Sequence, residues 1–383
     1  MEKNPEFDDI RPFYDDEVEL NIKNLLLDTQ FRKAVRVIIP DEEWPVFESM
    51  LSSVKSKREF QVKISTKVVY KIADKTTDSL SSAGFENLSK GTAYTYFSNH
   101  RDIVLDAAFL SVILNSQDCE IAEIAIGDNL LLHPWIEKVV RLNKSFIVKR
   151  GLSLRQQLEE STHLSKYIHF AITQKNESVW IAQREGRAKD SDDKTQESVL
   201  KMLAMGGDHD FLNNIKELNI APVSLSYQYD PCDYLKAEEF QQKRDNPEFK
   251  KTKADDFMNM ETGMFGYKGN VVFRFGKPIN DSLDKLDASL SKSDLVSSIA
   301  ALIDREIYLN YTFFPINYIA YDRLFGNNIF EDKYTQEDII AFDKYLNLQL
   351  DKVRLENKDI PYLTQKILEM YANPVKNYLN VEK

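Results

Sequence analysis

Cysteine is almost missing from this chain: 383 residues contain only Cys119 and Cys232, far apart. They can build neither a disulfide framework nor a zinc-ligand spacing, and they fit a reducing, cytoplasmic setting. There is no run of 18 or more apolar residues, so the sequence predicts no membrane-spanning helix. The first twenty residues carry eight acids and two bases around no apolar centre, which is not a signal-peptide pattern. Basic residues are outnumbered 50 to 61, giving a net charge of −11. That balance excludes general nucleic-acid affinity and obliges any anionic ligand to find a local basic cluster. Internal repeats and low-complexity segments are missing too.

What is present reads as a soluble globular protein with more than one folding unit, 43% hydrophobic and 29% charged. Residues 1–89 form a mainly helical N-terminal region. Val18, Ile22, Leu25 and Leu26 have helical spacing, and Trp44 and Phe47 suit core anchors. Residues 60–70 fit a strand or a helix equally. Residues 90–285 alternate short apolar runs with helical patterns, which argues for an α/β domain with a mixed or mostly parallel sheet flanked by helices. The strands are placed at 94–97, 146–148, 179–182, 220–229 and 271–275, with helices at 103–114 and 154–172. Residues 236–269, charged and glycine-spotted, read as an irregular excursion between strands. Residues 286–383 are a C-terminal helical region, in which Thr335 and Asp338 resemble a capping box. The aromatic cluster 308–321 reads as core.

Polar groups collect where strands end. Asn99-His100-Arg101-Asp102 follows the first strand of the domain and precedes an apolar helix that begins at Ile103. His-Arg-Asp also occurs in kinase catalytic loops. Here, however, the position five after Asp102 is Ala107, and neither a DFG nor a GxGxxG is present. Lys149-Arg150 ends the next strand, and Arg184-Glu185-Gly186-Arg187 the one after. In an open α/β sheet, successive parallel strands bring such ends to one edge. The set comprises a titratable imidazole, an orienting carboxylate and several cations suited to phosphate.

These blocks resemble the glycerolipid acyltransferases, the family of glycerol-3-phosphate and 1-acylglycerol-3-phosphate acyltransferases. Its NH(x4)D motif corresponds to Asn99, His100 and Asp106. Its second block is a strand ending in arginine, here Phe146 to Arg150. Its third is a strand ending in Glu-Gly-x-Arg, here Glu185-Gly186-Arg187. Its fourth is a strand with a proline, here Ile220-Ala221-Pro222-Val223. Phe275-Gly276-Lys277-Pro278-Ile279 matches a further downstream pattern. The resemblance spans about residues 90–280. Five residues separate His100 from Asp106 instead of four, and the third block lacks the residue between Gly and Arg.

The resemblance implies an O-acyltransferase of phospholipid synthesis. Acyl-CoA or acyl-carrier protein would be the donor, a glycerophosphate-type hydroxyl the acceptor, and no further cofactor or metal would be needed. His100 would act as the base. Asp106 would orient it, with Asp102 as helix cap or acceptor contact. Asn99, Arg101, Lys149, Arg150, Glu185, Gly186 and Arg187 would bind substrate, Arg150 and Arg187 through the acceptor phosphate. Oxyanion donors would come from backbone N–H groups of the helix after His100. The partners implied are the two substrates and the cytoplasmic face of a membrane, reached peripherally. Two other classes fit the same residues. One is a non-catalytic lipid-binding module, and the other a phosphohydrolase, for which the sequence shows no convincing metal-ligand cluster.

Overall fold

A computed structural model describes residues 3–287 and 289–382. Seven strands form one sheet: β1 (Ser79–Ala83), β2 (Thr95–Ser98), β3 (Glu123–Gly127), β4 (Ser145–Val148), β5 (Val179–Ala182), β6 (Ile220–Tyr227) and β7 (Asn270–Phe275). Their order is β1-β7-β6-β2-β5-β3-β4. All neighbours are parallel except β6 and β7, so β7 and β1 run against the other five. The fold is thus α/β, with a mostly parallel sheet between helices.

β2 lies at the centre. Thr95 pairs with Val179 of β5 on one side and Ile220 of β6 on the other. Every residue of β2 is buried, as expected of a strand covered on both faces. On one face Phe97, Ile181 and Ile220 pack against the helices Leu154–Thr173 and Lys292–Leu309. On the other, Tyr96, Trp180 and Phe273 pack against the helix Leu105–Ser116.

Five strands match the sequence reading to within two residues. The other two, β1 and β3, are not evident in the sequence. β1 reads Ser-Leu-Ser-Ser-Ala, a polar edge strand lying within 1–89. β3 contains Glu123, a carboxylate 1% exposed that pairs with Lys175 and accepts a 2.5 Å hydrogen bond from the Tyr167 hydroxyl. A buried charge met by its own partners interrupts the apolar run without interrupting the strand.

Residues 60–70 are helical, a π-helical turn (Phe60–Ser65) continuing into the α-helix Thr66–Thr76. Trp44 and Phe47 are buried among the N-terminal helices. Residues 236–269 differ from the sequence reading: two helices, Asp233–Asp245 and Lys253–Phe265, occupy most of the stretch. Thr252 caps the second in a capping box with Asp255. Thr335 and Asp338 do the same for the helix Gln336–Lys352. Tyr308 and Tyr311 are buried. No described helix is long and apolar enough to cross a membrane.

Gly84, which follows β1, holds φ +91°, and a Cβ there would lie 2.1 Å from the Phe275 carbonyl oxygen. Both the backbone conformation and the close approach require glycine. Gly84→Ala is expected to cost more than about 1 kcal/mol. The check is urea unfolding, in which the midpoint falls.

Candidate active site

The site is assembled where β2 hands over to the helix Leu105–Ser116. Asn99, fully buried, clamps this turn to β6: its amide oxygen accepts from Leu225 N at 2.8 Å and its amide nitrogen donates to Leu225 O at 2.9 Å. The next side chain, His100, leaves the turn in the other direction. Its Nδ1 is 2.8 Å from Asp106 Oδ2, and its ring meets Trp180 edge-on at 5.6 Å.

Asp106 is 0% exposed, and a carboxylate so buried must be supplied with donors. Oδ2 also accepts from the backbone N–H groups of Arg101 (2.6 Å) and Asp102 (3.1 Å), and Oδ1 accepts from the Tyr227 hydroxyl at 2.7 Å. An acceptor at Nδ1 keeps the ring proton on that nitrogen. The Nε2 lone pair is then available on the side of the ring that lines the cavity. The helix begins at Leu105, so His100 sits in the turn before it, and the residue beyond the NH(x4)D spacing is taken up in that turn.

Asp102 has a different place. Its Oδ1 accepts from Val104 N at 2.8 Å and Leu105 N at 2.7 Å, which caps the helix. Burial, then the charge of Asp106, holds its carboxyl above the usual carboxylate range. Between them, Asp102 and Asp106 use the N–H groups of residues 101, 102, 104 and 105. These four are therefore engaged and are not free to serve an oxyanion; of them only Leu105 belongs to the helix.

The cations assigned to substrate divide into two groups. Arg101 turns inward and forms a two-pronged pair with Asp193, at 2.8 and 2.5 Å, with the Tyr311 hydroxyl on the same carboxylate at 2.6 Å. Neither Asn99 nor Arg101 lines the cavity, so both hold the turn from behind and do not face substrate as expected. Lys149 is tied to Asp9 at 2.7 Å and Glu160 at 3.0 Å. Lys149, Arg150, Glu185, Gly186 and Arg187 do line the cavity. Arg150 faces Glu185 at 3.1 Å, both largely solvated. Arg187 donates through Nη2 to Asn259 Oδ1 at 2.9 Å, and its buried Nη1 has no partner among the described residues. An unmatched guanidinium N–H is costly to bury and is suited to an anionic ligand.

The cavity measures about 1950 Å³. From His100 and Trp180 it extends under the N-terminal helices, past apolar side chains such as Ile72, Ile124, Trp135 and Val139. The helix Lys253–Phe265 roofs it, with Met260 and Met264 on the lining. Gly263 of that helix lies so close to the catalytic turn that a Cβ would stand 2.0 Å from Asp102 Oδ2. Eight lysines and arginines line the cavity against five acids, but Lys149, Lys189 and Lys201 are paired with Asp9, Glu239 and Glu197 just outside the lining.

Sequence reasoning did not identify Tyr227, Asp193 or the roof helix. Asp193 lies in the acidic loop 190–193, whose composition gives no sign of a buried partner 92 positions away. Tyr227 is 121 positions from Asp106.

Tyr227→Phe removes one donor from Asp106 and leaves the ring in place. The buried carboxylate loses a hydrogen bond, so stability should fall by about 1–3 kcal/mol, which urea unfolding checks. Gly263→Ala should push the roof helix off Asp102 and lower ligand affinity for the cavity, measured by thermal shift, with the far-UV spectrum unchanged.

Residues 80–221 match the family model described as Acyltransferase. Among curated proteins, none matches the chain. Among solved structures, the 1-acyl-sn-glycerophosphate (LPA) acyltransferase PlsC of Thermotoga maritima aligns at 12% identity and a TM-score of 0.36, covering 74% of this chain and 91% of that one. The residues that resemble the Acyltransferase family contain β2, the His100–Asp106 pair and the Glu185-Gly186-Arg187 turn.

Proposed function

We propose that the chain transfers a fatty acyl group from acyl-CoA or acyl-carrier protein to a hydroxyl of glycerol-3-phosphate or its 1-acyl derivative. The observation that carries this reading is the buried Asp106 holding Nδ1 of His100, which lines a largely apolar cavity that also takes in Arg187 with its unmatched Nη1. Acyl transfer to a hydroxyl requires a base at the hydroxyl, room for a chain and a cation for the phosphate.

In the mechanism, His100 Nε2 removes the proton of the acceptor hydroxyl as its oxygen attacks the thioester carbonyl carbon. The tetrahedral intermediate collapses, the C–S bond breaks, and the imidazolium returns its proton to the departing thiolate. Asp106 stabilises the imidazolium while remaining ionised. The acceptor attacks directly, so no acyl-enzyme forms. The unmatched Nη1 of Arg187 serves the acceptor phosphate, and the apolar arm of the cavity takes the chain. At about 1950 Å³ the cavity exceeds the roughly 300–1,000 Å³ of a single-ligand pocket, which suits two substrates meeting at His100. In this reading the chain meets its lipid substrates peripherally, at the membrane surface.

The test is a panel of acceptors incubated with acyl-CoA or acyl-carrier protein, with products read by mass spectrometry. An acylated glycerophosphate supports the proposal. Inorganic phosphate would indicate a phosphohydrolase, and no product a binding module. Arg187→Ala should raise the acceptor KM ten- to a hundredfold, the equivalent of a charged hydrogen bond of about 1.5–3 kcal/mol. Asp106→Asn should lower kcat by orders of magnitude, whereas Asp102→Asn should be mild. The reverse ranking in folded proteins would transfer the orienting role to Asp102.

A further inference from the structure

Five of the eight lysines and arginines on the cavity lining form an ion pair, whereas Lys33, Arg184 and Arg187 form none among the described residues. Lys33 is exposed on the helix Thr29–Arg36, where solvent reaches it. The two arginines are only partly exposed, and each carries a buried N–H without a partner, Nε of Arg184 and Nη1 of Arg187. Such groups cost free energy until something accepts from them. Their convergence is not what a strand would give. β5 ends at Ala182, and in extended chain residues three apart face opposite sides. Here Gly186 takes φ +71°, a left-handed turn, and Arg184 and Arg187 line one cavity together with His100. His100 and Arg184 each lie two positions past the registered pair Ser98–Ala182, at the same end of adjacent strands.

We propose that Arg184 joins Arg187 in a two-guanidinium clasp for a phosphate monoester, and that this clasp selects a monoester acceptor over a phosphodiester. The inference rests on the acyl-transfer reading, to which it adds a binding residue and a narrower substrate class. Charge separates the two esters. A monoester, with a second pKa of about 6, is close to a dianion at neutral pH and offers three terminal oxygens. A diester carries a single charge and two such oxygens. Two guanidiniums without carboxylate partners match the monoester and leave one cation unmatched on the diester. Glu185, next to Arg184 in the chain, pairs with Arg150 and with neither member of the clasp.

The experiment is calorimetric titration of the full chain with 1-hexanoylglycerol-3-phosphate, with its methyl phosphodiester, and with coenzyme A, whose 3′-phosphate is also a monoester. Wild type should bind the glycerophosphate monoester at least about tenfold more tightly than the diester, the effect of one charged hydrogen bond. Arg184→Gln should weaken the monoester about tenfold, leave the diester within about twofold, and so abolish the preference. Arg184→Lys keeps the charge without the planar fork and should show an intermediate preference. Lys33→Gln should change neither affinity. No carboxylate depends on Arg184, so folding is retained and is checked by circular dichroism. Wild type that shows no preference, or binds neither ester, would overturn the proposal. So would a loss in Arg184→Gln confined to coenzyme A, which would assign Arg184 to the donor, or an equal loss in Lys33→Gln, which would mark a diffuse charge effect. Titration needs no turnover: a chain with an Arg184-dependent preference that transfers no acyl group refutes the catalytic reading and leaves the clasp in place.

Discussion

A carboxylate with no solvent contact sits at the centre of this fold, and the requirement to satisfy it organises what surrounds it. Asp106 accepts from an imidazole, two backbone amides and a phenol. Each donor comes from a segment with its own anchor. The amides belong to a turn that Asn99 clamps to β6 and that Arg101 ties to Asp193. The phenol belongs to β6 itself. The imidazole is the only one of the four that also meets the cavity. An ionised group in such a place is tolerated because its donors are fixed before any ligand arrives, which is the preorganisation that general-base chemistry exploits.

The surroundings follow from this arrangement. β2 is central because the turn after it must be reached from both neighbours: β5 supplies Trp180 against the His100 ring, and β6 supplies Leu225 and Tyr227. The helices between β6 and β7 close the other side. Through Asn259 they touch Arg187, and at Gly263 they pack directly on Asp102. The roof and the catalytic turn are thus one mechanical unit, although their sequences are about 160 residues apart.

Much of this architecture was legible in the sequence, and for definite reasons. Strands covered on both faces appear as continuous apolar runs, as at Val179–Ala182. His100 and Asp106 pair across six positions, a distance that local reading can span. The unread parts depend on distant partners. β3 was hidden by Glu123, whose charge is neutralised by Lys175 and whose lone pairs are met by Tyr167. Arg101 looked like a ligand contact because its buried partner, Asp193, lies in a loop whose composition suggests only exposure. The helices in 236–269 have charged surfaces and little apolar periodicity, and they are ordered by what they cover. Composition records burial well, and it records long-range ion pairs poorly.

The central claim is that His100, oriented by Asp106, deprotonates the acceptor for direct transfer. Thiol release from acyl-CoA, followed with and without glycerol-3-phosphate or its 1-acyl derivative, tests it in wild type and in folded His100→Ala. The account predicts that wild type releases thiol only when acceptor is present and that His100→Ala releases none above background. A folded His100→Ala protein with near wild-type, acceptor-dependent release would contradict it.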